Sequence, residues 1–280
     1  MKVLGLLLAL GLSASAQTIE NQTVTGLETF TGSQVSLKNC HITGPIKAFQ
    51  AKSVTVEHCY LDLNGQPGVL ITEGCPVVSI CGNIVTNALT AFQLNGVRSD
   101  PNVRIAYNYI GSGFGNKWND QISIYESSGT PSHQIVIDMN FIWTEPTSPF
   151  YARGAGISAG DTGSSYVLVA HNRCGNCNAG VWVPNGFSST MVDNIVIGRS
   201  SQNSYSSAIY MYPGTGYAVG NRAVDFNSHR GYDEYTNYYF GDPIGKVANI
   251  VIPSNSFDYE SLLWMWQLEM EAERQTFGPQ

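Results

Sequence analysis

The stretch "IVIDMNFI", residues 135–142, places apolar Ile135 and Ile137 on alternating positions, an Asn three residues later (Asn140), and a further aliphatic residue at Ile142. Alternation over a short run predicts a strand with one buried face. Asn suits a bend at its end, since it tolerates left-handed backbone geometry. The template apolar-x-apolar-x-x-Asn-x-apolar recurs outward in both directions. "VVSICGNIV" (77–85) carries Asn83, "VRIAYNYI" (103–110) Asn108, "VLVAHNRC" (167–174) Asn172 and "VANIVIPSNSFD" (247–258) Asn255. Weaker copies put Asn194 and Asn221 in the slot, and Cys40 and Cys59 fill it in "VSLKNCHI" and "VTVEHCYL".

Successive slots are 19 to 34 residues apart, so the insertions vary while the unit persists. Repeats of this length indicate a solenoid. One such strand cannot bury its apolar side alone, whereas copies stacked in parallel about 4.8 Å apart share a continuous core. The amide of each Asn can then bond to its counterpart in the next coil. A second alternating segment precedes each copy, for example "GVLITEG" (68–74), "TAFQLNG" (90–96) and "GAGISAGDTG" (154–163). The expected fold is all-β: a right-handed parallel β-helix of about nine coils over residues 17–257. This spacing resembles the pectate-lyase-like superfamily over roughly residues 20 to 257. The resemblance implies a fold and, as substrate class, polysaccharide; one fold hosts many chemistries.

"MKVLGLLLALGLSASA" (1–16) reads as a secretory signal peptide, with Lys2, an apolar run and a small-residue site before Gln17. The run is too short to span a membrane. Charged residues are 12% of the chain, the net charge is −7 and there is no Lys/Arg cluster. That balance argues against nucleic acid and anionic membrane surfaces as partners. The expectation is a secreted monomer. From Asp258 the pattern turns helical: "DYESLLWMWQLEMEAERQ" aligns Leu262, Trp266 and Met270, with Leu263 and Met265 nearby. Residues 258–280 are expected to cap the solenoid, as a lid over its last coil, since terminal repeats need covering.

Six cysteines in a secreted chain point to disulfides. Cys40 and Cys59 share a slot in successive coils, either bridged or stacked as free thiols. Cys75 and Cys81 could bridge a bend. In "HNRCGNC", His171, Cys174 and Cys177 allow a zinc reading, a local disulfide or plain packing.

Aligning the preceding strands on inward Val69, Phe92, Ile122, Ile157, Val181 and Ile209 gives an outward column of Leu70, Gln93, Ser123, Ser158, Trp182 and Tyr210. Four residues past the reference lies a turn column that includes Glu126, Asp161 and Asn185. Glu126 and Asp161 would then face each other as an acid pair about 5 Å apart. Trp182 and Tyr210 would form a sugar platform on the same face. A carboxylate pair beside aromatics is what glycosidic cleavage needs: one acid protonates the leaving oxygen, the other acts as base or nucleophile. The alternative is solvated turn acids and packed aromatics.

"GNKWNDQ" (115–121) adds Lys117, Trp118 and Asp120, and "SPFYARGAG" (148–156) adds Tyr151 and Arg153, in the two longest internal intervals. Lys117 or Arg153 would serve a β-elimination on a uronic acid. The residues establish no cofactor with certainty; Asp120, Glu126 and Asp161 could hold Ca²⁺. The tyrosine-rich loop 227–242 offers a second polar cluster of His229, Arg230, Asp233 and Glu234. "GISAGD" resembles the stacked aspartates of polygalacturonases. The chain lacks their Asp-Asp pair, Gly-His-Gly and Arg-Ile-Lys, and also the Asp-Pro-His-Asp of alginate epimerases. The expected function is a secreted carbohydrate-active enzyme, lyase or glycoside hydrolase. The contrasting reading is a non-catalytic carbohydrate-binding or structural β-helix protein.

Overall fold

In the computed structural model of the protein, the described residues are 8–9, 16–29, 31–111, 119–143, 154–175, 177, 179–183, 188–197, 209–211, 216–225, 238–240, 246–247, 250–253 and 259–280. Alternating strands of two to seven residues cycle through three parallel sheets of ten strands each. Each coil gives one strand to sheet I, then sheet II, then sheet III. One coil, for instance, contributes Ile122–Tyr125, Ile135–Asp138 and Phe141–Trp143. The expected leader takes part: Leu8–Ala9 pairs with Leu27–Glu28, and Ala16 pairs with Gln34.

Alternation explains the core. Val54, Val56, Val78, Ile80, Val103, Ile105, Ile135 and Ile137 of sheet II all point inward and are fully buried. Each such aliphatic side chain contributes about 1.5–3 kcal/mol of hydrophobic stabilisation. Stacked at strand spacing, they make one continuous apolar column.

The bend between sheets II and III is built on two consecutive positions. The first takes the left-handed conformation, as in Tyr107 (φ 60°), Met139 (φ 50°), His171 (φ 51°) and Asp193 (φ 48°). The second is the Asn slot. The expectation that Asn supplies the left-handed turn is therefore shifted by one residue: the preceding residue reverses the chain, and the Asn side chain turns inward along the stack. A left-handed non-glycine residue costs roughly 1–2 kcal/mol. The ladder offsets that cost. Asn83, Asn108, Asn140, Asn172 and Asn194 each donate both their backbone and side-chain N–H groups to Oδ1 of the next Asn, at 2.8–3.2 Å. Cys59 joins as a backbone donor to Asn83 (2.9 Å), and the backbone N–H of Cys40 donates to Cys59 Sγ (3.4 Å). Asn255 lies outside the described residues.

All six cysteines are free. Cys40 and Cys59 are stacked thiols in the slot. Cys75 is buried in the core, whereas Cys81 occupies an outward position of its strand, so the bend they were expected to bridge separates them. Cys174 and Cys177 are both buried beneath sheet I: a Cβ on Gly156 would lie 3.1 and 3.2 Å from their sulfurs.

The C-terminal helix, Tyr259–Ala272, buries Leu262, Trp266 and Met270, the face read from the sequence. Its seat differs from the expected one. Rather than closing the last coil, it lies along the flank of the solenoid on the outer face of sheet III. There it packs against Met139, Phe141, Trp143, Ile195 and Ile197. Outward aromatic and aliphatic residues on successive coils make this flank apolar, and the helix removes it from water. Trp266 Nε1 donates to the Met139 carbonyl (2.7 Å), the Tyr109 and Tyr259 hydroxyls meet at 3.0 Å, and Arg173 pairs with Glu269. Beyond the helix the tail runs back toward the first coils. Gly278 N–H donates to the Gly82 carbonyl (2.6 Å), and Gln280 N–H donates to Asn39 Oδ1 (3.2 Å). Asp258, the expected helix cap, lies outside the described residues.

Candidate functional site

On the outer face of sheet I the register matches the sequence alignment. Leu70 pairs with Gln93, Gln93 with Ser123, Ser123 with Ser158, Ser158 with Trp182 and Trp182 with Tyr210. Trp182 is 41% exposed and stands two strand spacings, about 10 Å, from Ser123. The side chain of Tyr210 lies outside the described residues.

A second outward column runs beside the first: Phe49, Thr72, Asn95 and Tyr125. Phe49 is 40% exposed and Tyr125 is half-buried. Neither stood out in the sequence. The signal was available, since both follow the aligned outward residue by two positions on the same face. Phe49, Tyr125 and Trp182 thus space aromatic side chains along the solenoid axis, three and then two coils apart.

The acid pair does not share a slot. A β-bulge interrupts the register after Ile124, and Asp161 pairs with Tyr125 rather than aligning with Glu126. Gly160, at φ 146°, is the extra residue. Thr162 (φ 54°) takes the left-handed corner that Glu126 (φ 49°) takes one coil earlier. The Asp161 side chain is outside the described residues. Glu126 is exposed, and its backbone carbonyl accepts from Arg98 Nη1 at 2.7 Å.

A cleft of about 250 Å³ opens at the other end of these strands, lined by Thr90, Gln93, Asn119, Asp120, Ser123 and Gly154. Asp120 Oδ1 accepts the Ala155 backbone N–H of the next coil at 2.6 Å, which fixes the orientation of the carboxyl group. Gly154 is required: a Cβ there would lie 2.3 Å from the backbone of Asn119 and Asp120. Gln121, fully buried, donates to the Leu89 and Asn119 carbonyls (3.2 Å each) and pins the floor. The cleft therefore offers one carboxylate, two amides and two hydroxyls, a set suited to sugar hydroxyls.

Asp120 and Glu126 flank opposite ends of Ile122–Tyr125, about 20 Å apart along the strand. Calcium–oxygen distances of about 2.3–2.6 Å exclude one ion held by both. No group of three His, Cys, Asp or Glu among the described residues is placed to hold a metal. The zinc reading also separates in space. His171 sits on the outer ridge with its Nδ1 3.0 Å from Asp138 Oδ1, while Cys174 faces the core and burial pushes its thiol up to about 12. Lys117, Trp118, Tyr151, Arg153 and Asn185 lie outside the described residues, as do His229, Arg230, Asp233 and Glu234.

Residues 12–142 match the family model described as a right-handed beta helix region. With three parallel sheets in register, that match decides the architecture. The chain is a right-handed parallel β-helix. No curated protein and no solved structure matches it significantly. The β-helix accounts for the site's form: coils stacked in register turn single outward residues into columns.

Proposed function

We propose that the protein is a secreted carbohydrate-active β-helix that lays a polysaccharide along sheet I and cleaves its glycosidic bonds at the Asp120 cleft. The observation that carries this reading is the coincidence, on one face, of exposed Phe49 and Trp182 with the polar cleft. Aromatic faces stack on pyranose rings while amides and hydroxyls fix orientation. Asp120, oriented by the Ala155 N–H, serves as base or nucleophile. Glu126 and Asp161, at the far end of the strand, lie beyond the roughly 5–9.5 Å at which a partner acid could act with Asp120 and remain candidates only for a separate acid site there, while Lys117 and Arg153 are the candidates for the cation of an eliminative route. Tyr210, Trp118, Tyr151 and Asn185 extend the sugar-binding set. The leader-like residues 1–16 support secretion, and cleavage before Gln17 keeps most of the strand Ala16–Glu20. The protein acts as a monomer on a glycan, not on nucleic acid or a membrane.

A second reading, binding without cleavage, is favoured by the bulge that takes Asp161 out of line with Glu126. The test is a polysaccharide panel read by reducing-end release and by absorbance of unsaturated uronates. New ends without absorbance indicate hydrolysis, and ends with absorbance indicate elimination. Asp120→Asn should abolish either and retain binding. Binding without new ends establishes the second reading, and absence of both sinks the carbohydrate assignment.

A further inference from the structure

On the ridge between sheets II and III, three successive coils each place one titratable side chain in a row. His171 is central. Its Nδ1 lies 3.0 Å from Asp138 Oδ1 on the coil before, and its Nε2 lies 4.0 Å from Asp193 Oδ2 on the coil after. The neighbours make room for this row. Asp138 pairs with small Ala170, and Asp193 leans over Gly220, where a Cβ would fall 1.9 Å from its Oδ1. The other carboxylate oxygen of Asp138 accepts from Arg104 Nη2 at 3.3 Å, and Arg104 also donates to the Tyr107 hydroxyl at 2.7 Å. Arg173, buried beneath the row, donates to the Asp193 backbone carbonyl (2.8 Å) and pairs with Glu269 of the helix.

Among the described residues these are the charged groups around the imidazole: two carboxylates in direct reach, with Arg104 and Arg173 each engaged by another acceptor. Neutral His171 satisfies Asp138 through Nδ1–H and turns a lone pair toward Asp193. Protonation puts a second N–H on Nε2, facing the Asp193 carboxylate.

We propose that His171 is a proton-operated tie that clamps three consecutive coils together in mildly acidic surroundings and releases one of its two links above them. The electrostatics run the same way. The hydrogen bond to Asp138 raises the pKa of His171 above the ordinary histidine value, and Asp193 adds to this, against burial and Arg173. A raised folded-state pKa gives stability that is fully present below the unfolded value of about 6.5 and is lost as pH rises through the folded value.

The experiment is a proton NMR titration of the full chain, with the His171 ring signals assigned by their loss in His171→Gln. Thermal unfolding is measured in parallel between about pH 5 and 8, spanning the unfolded value. The expected result is a His171 midpoint above that of the unfolded chain, lowered in Asp193→Asn and lowered further in Asp138→Asn. The unfolding temperature of the wild type should fall across the same interval more than that of Asp193→Asn. Asp193 is 55% exposed in its side chain, so this variant keeps the test open if His171→Gln does not fold. A midpoint at or below the unfolded value, or one unmoved by Asp193→Asn, overturns the proposal.

Discussion

Asn140 Oδ1 accepts two hydrogen bonds from Asn108, one from its backbone N–H at 3.2 Å and one from its side-chain N–H at 2.9 Å. Both residues are fully buried. Asn140→Ala removes the acceptor and strands two donors, and it also removes the donor to the Ile105 carbonyl. An unsatisfied buried group costs about 1–3 kcal/mol, so a loss of about 3 kcal/mol or more is expected in urea unfolding. A loss below about 1 kcal/mol would mean that water replaces the rung.

The first slots predict a gradation. Cys59 already accepts a backbone N–H through sulfur. Asn83→Cys should therefore cost less than Asn83→Ala, because a thiol can still take the Cys59 N–H that Asn83 Oδ1 now accepts at 2.9 Å. Paired denaturation curves check the order; equal midpoints would deny sulfur any role as an acceptor.

Trp266 combines burial with one directed bond. Trp266→Ala should cost about 3–5 kcal/mol. Trp266→Phe keeps most of the ring but leaves the Met139 carbonyl unpaired, at about 1–3 kcal/mol. Ending the chain at residue 258 should uncover Phe141, Trp143, Ile195 and Ile197, with binding of a hydrophobic dye as the readout.

On sheet I, Trp182→Ala should weaken glycan affinity about tenfold with little change in stability, as expected for an exposed aromatic that stacks on a sugar. Gly154→Ala should act differently, because its Cβ would strike the backbone of Asn119 and Asp120 and deform the cleft wall. Calorimetric titration of both variants with the best glycan of the panel separates them: loss in Gly154→Ala alone would confine recognition to the cleft.

The ladder and the outward column were legible because both rest on periodicity, and alternation survives variable insertions. Leu70 through Tyr210 align as the residues alone indicate. The bulge at Gly160 was not legible: one extra residue beside a Gly-Asp turn leaves the apolar pattern on either side intact. The helix face was readable from its 3.6-residue period, but its seat was not. The partner surface of Tyr109, Phe141 and Trp143 exists only once separate coils are stacked. Phe49 and Tyr125 went unread for the same reason, each being unremarkable until the sheet aligns them.

The bond between Gln280 and Asn39 joins residues 241 positions apart in a molecule whose other tertiary contacts are mostly between adjacent coils. A simple stack behaves like a row of coupled units that can fray from either end. Here the terminal segment reaches across the row and is seated only after the coils beneath it are ordered. Its docking adds a closing step of high contact order to an otherwise local assembly. Melting should therefore approach a single concerted transition, and loss of the last 22 residues, Tyr259–Gln280, should broaden it into sequential fraying.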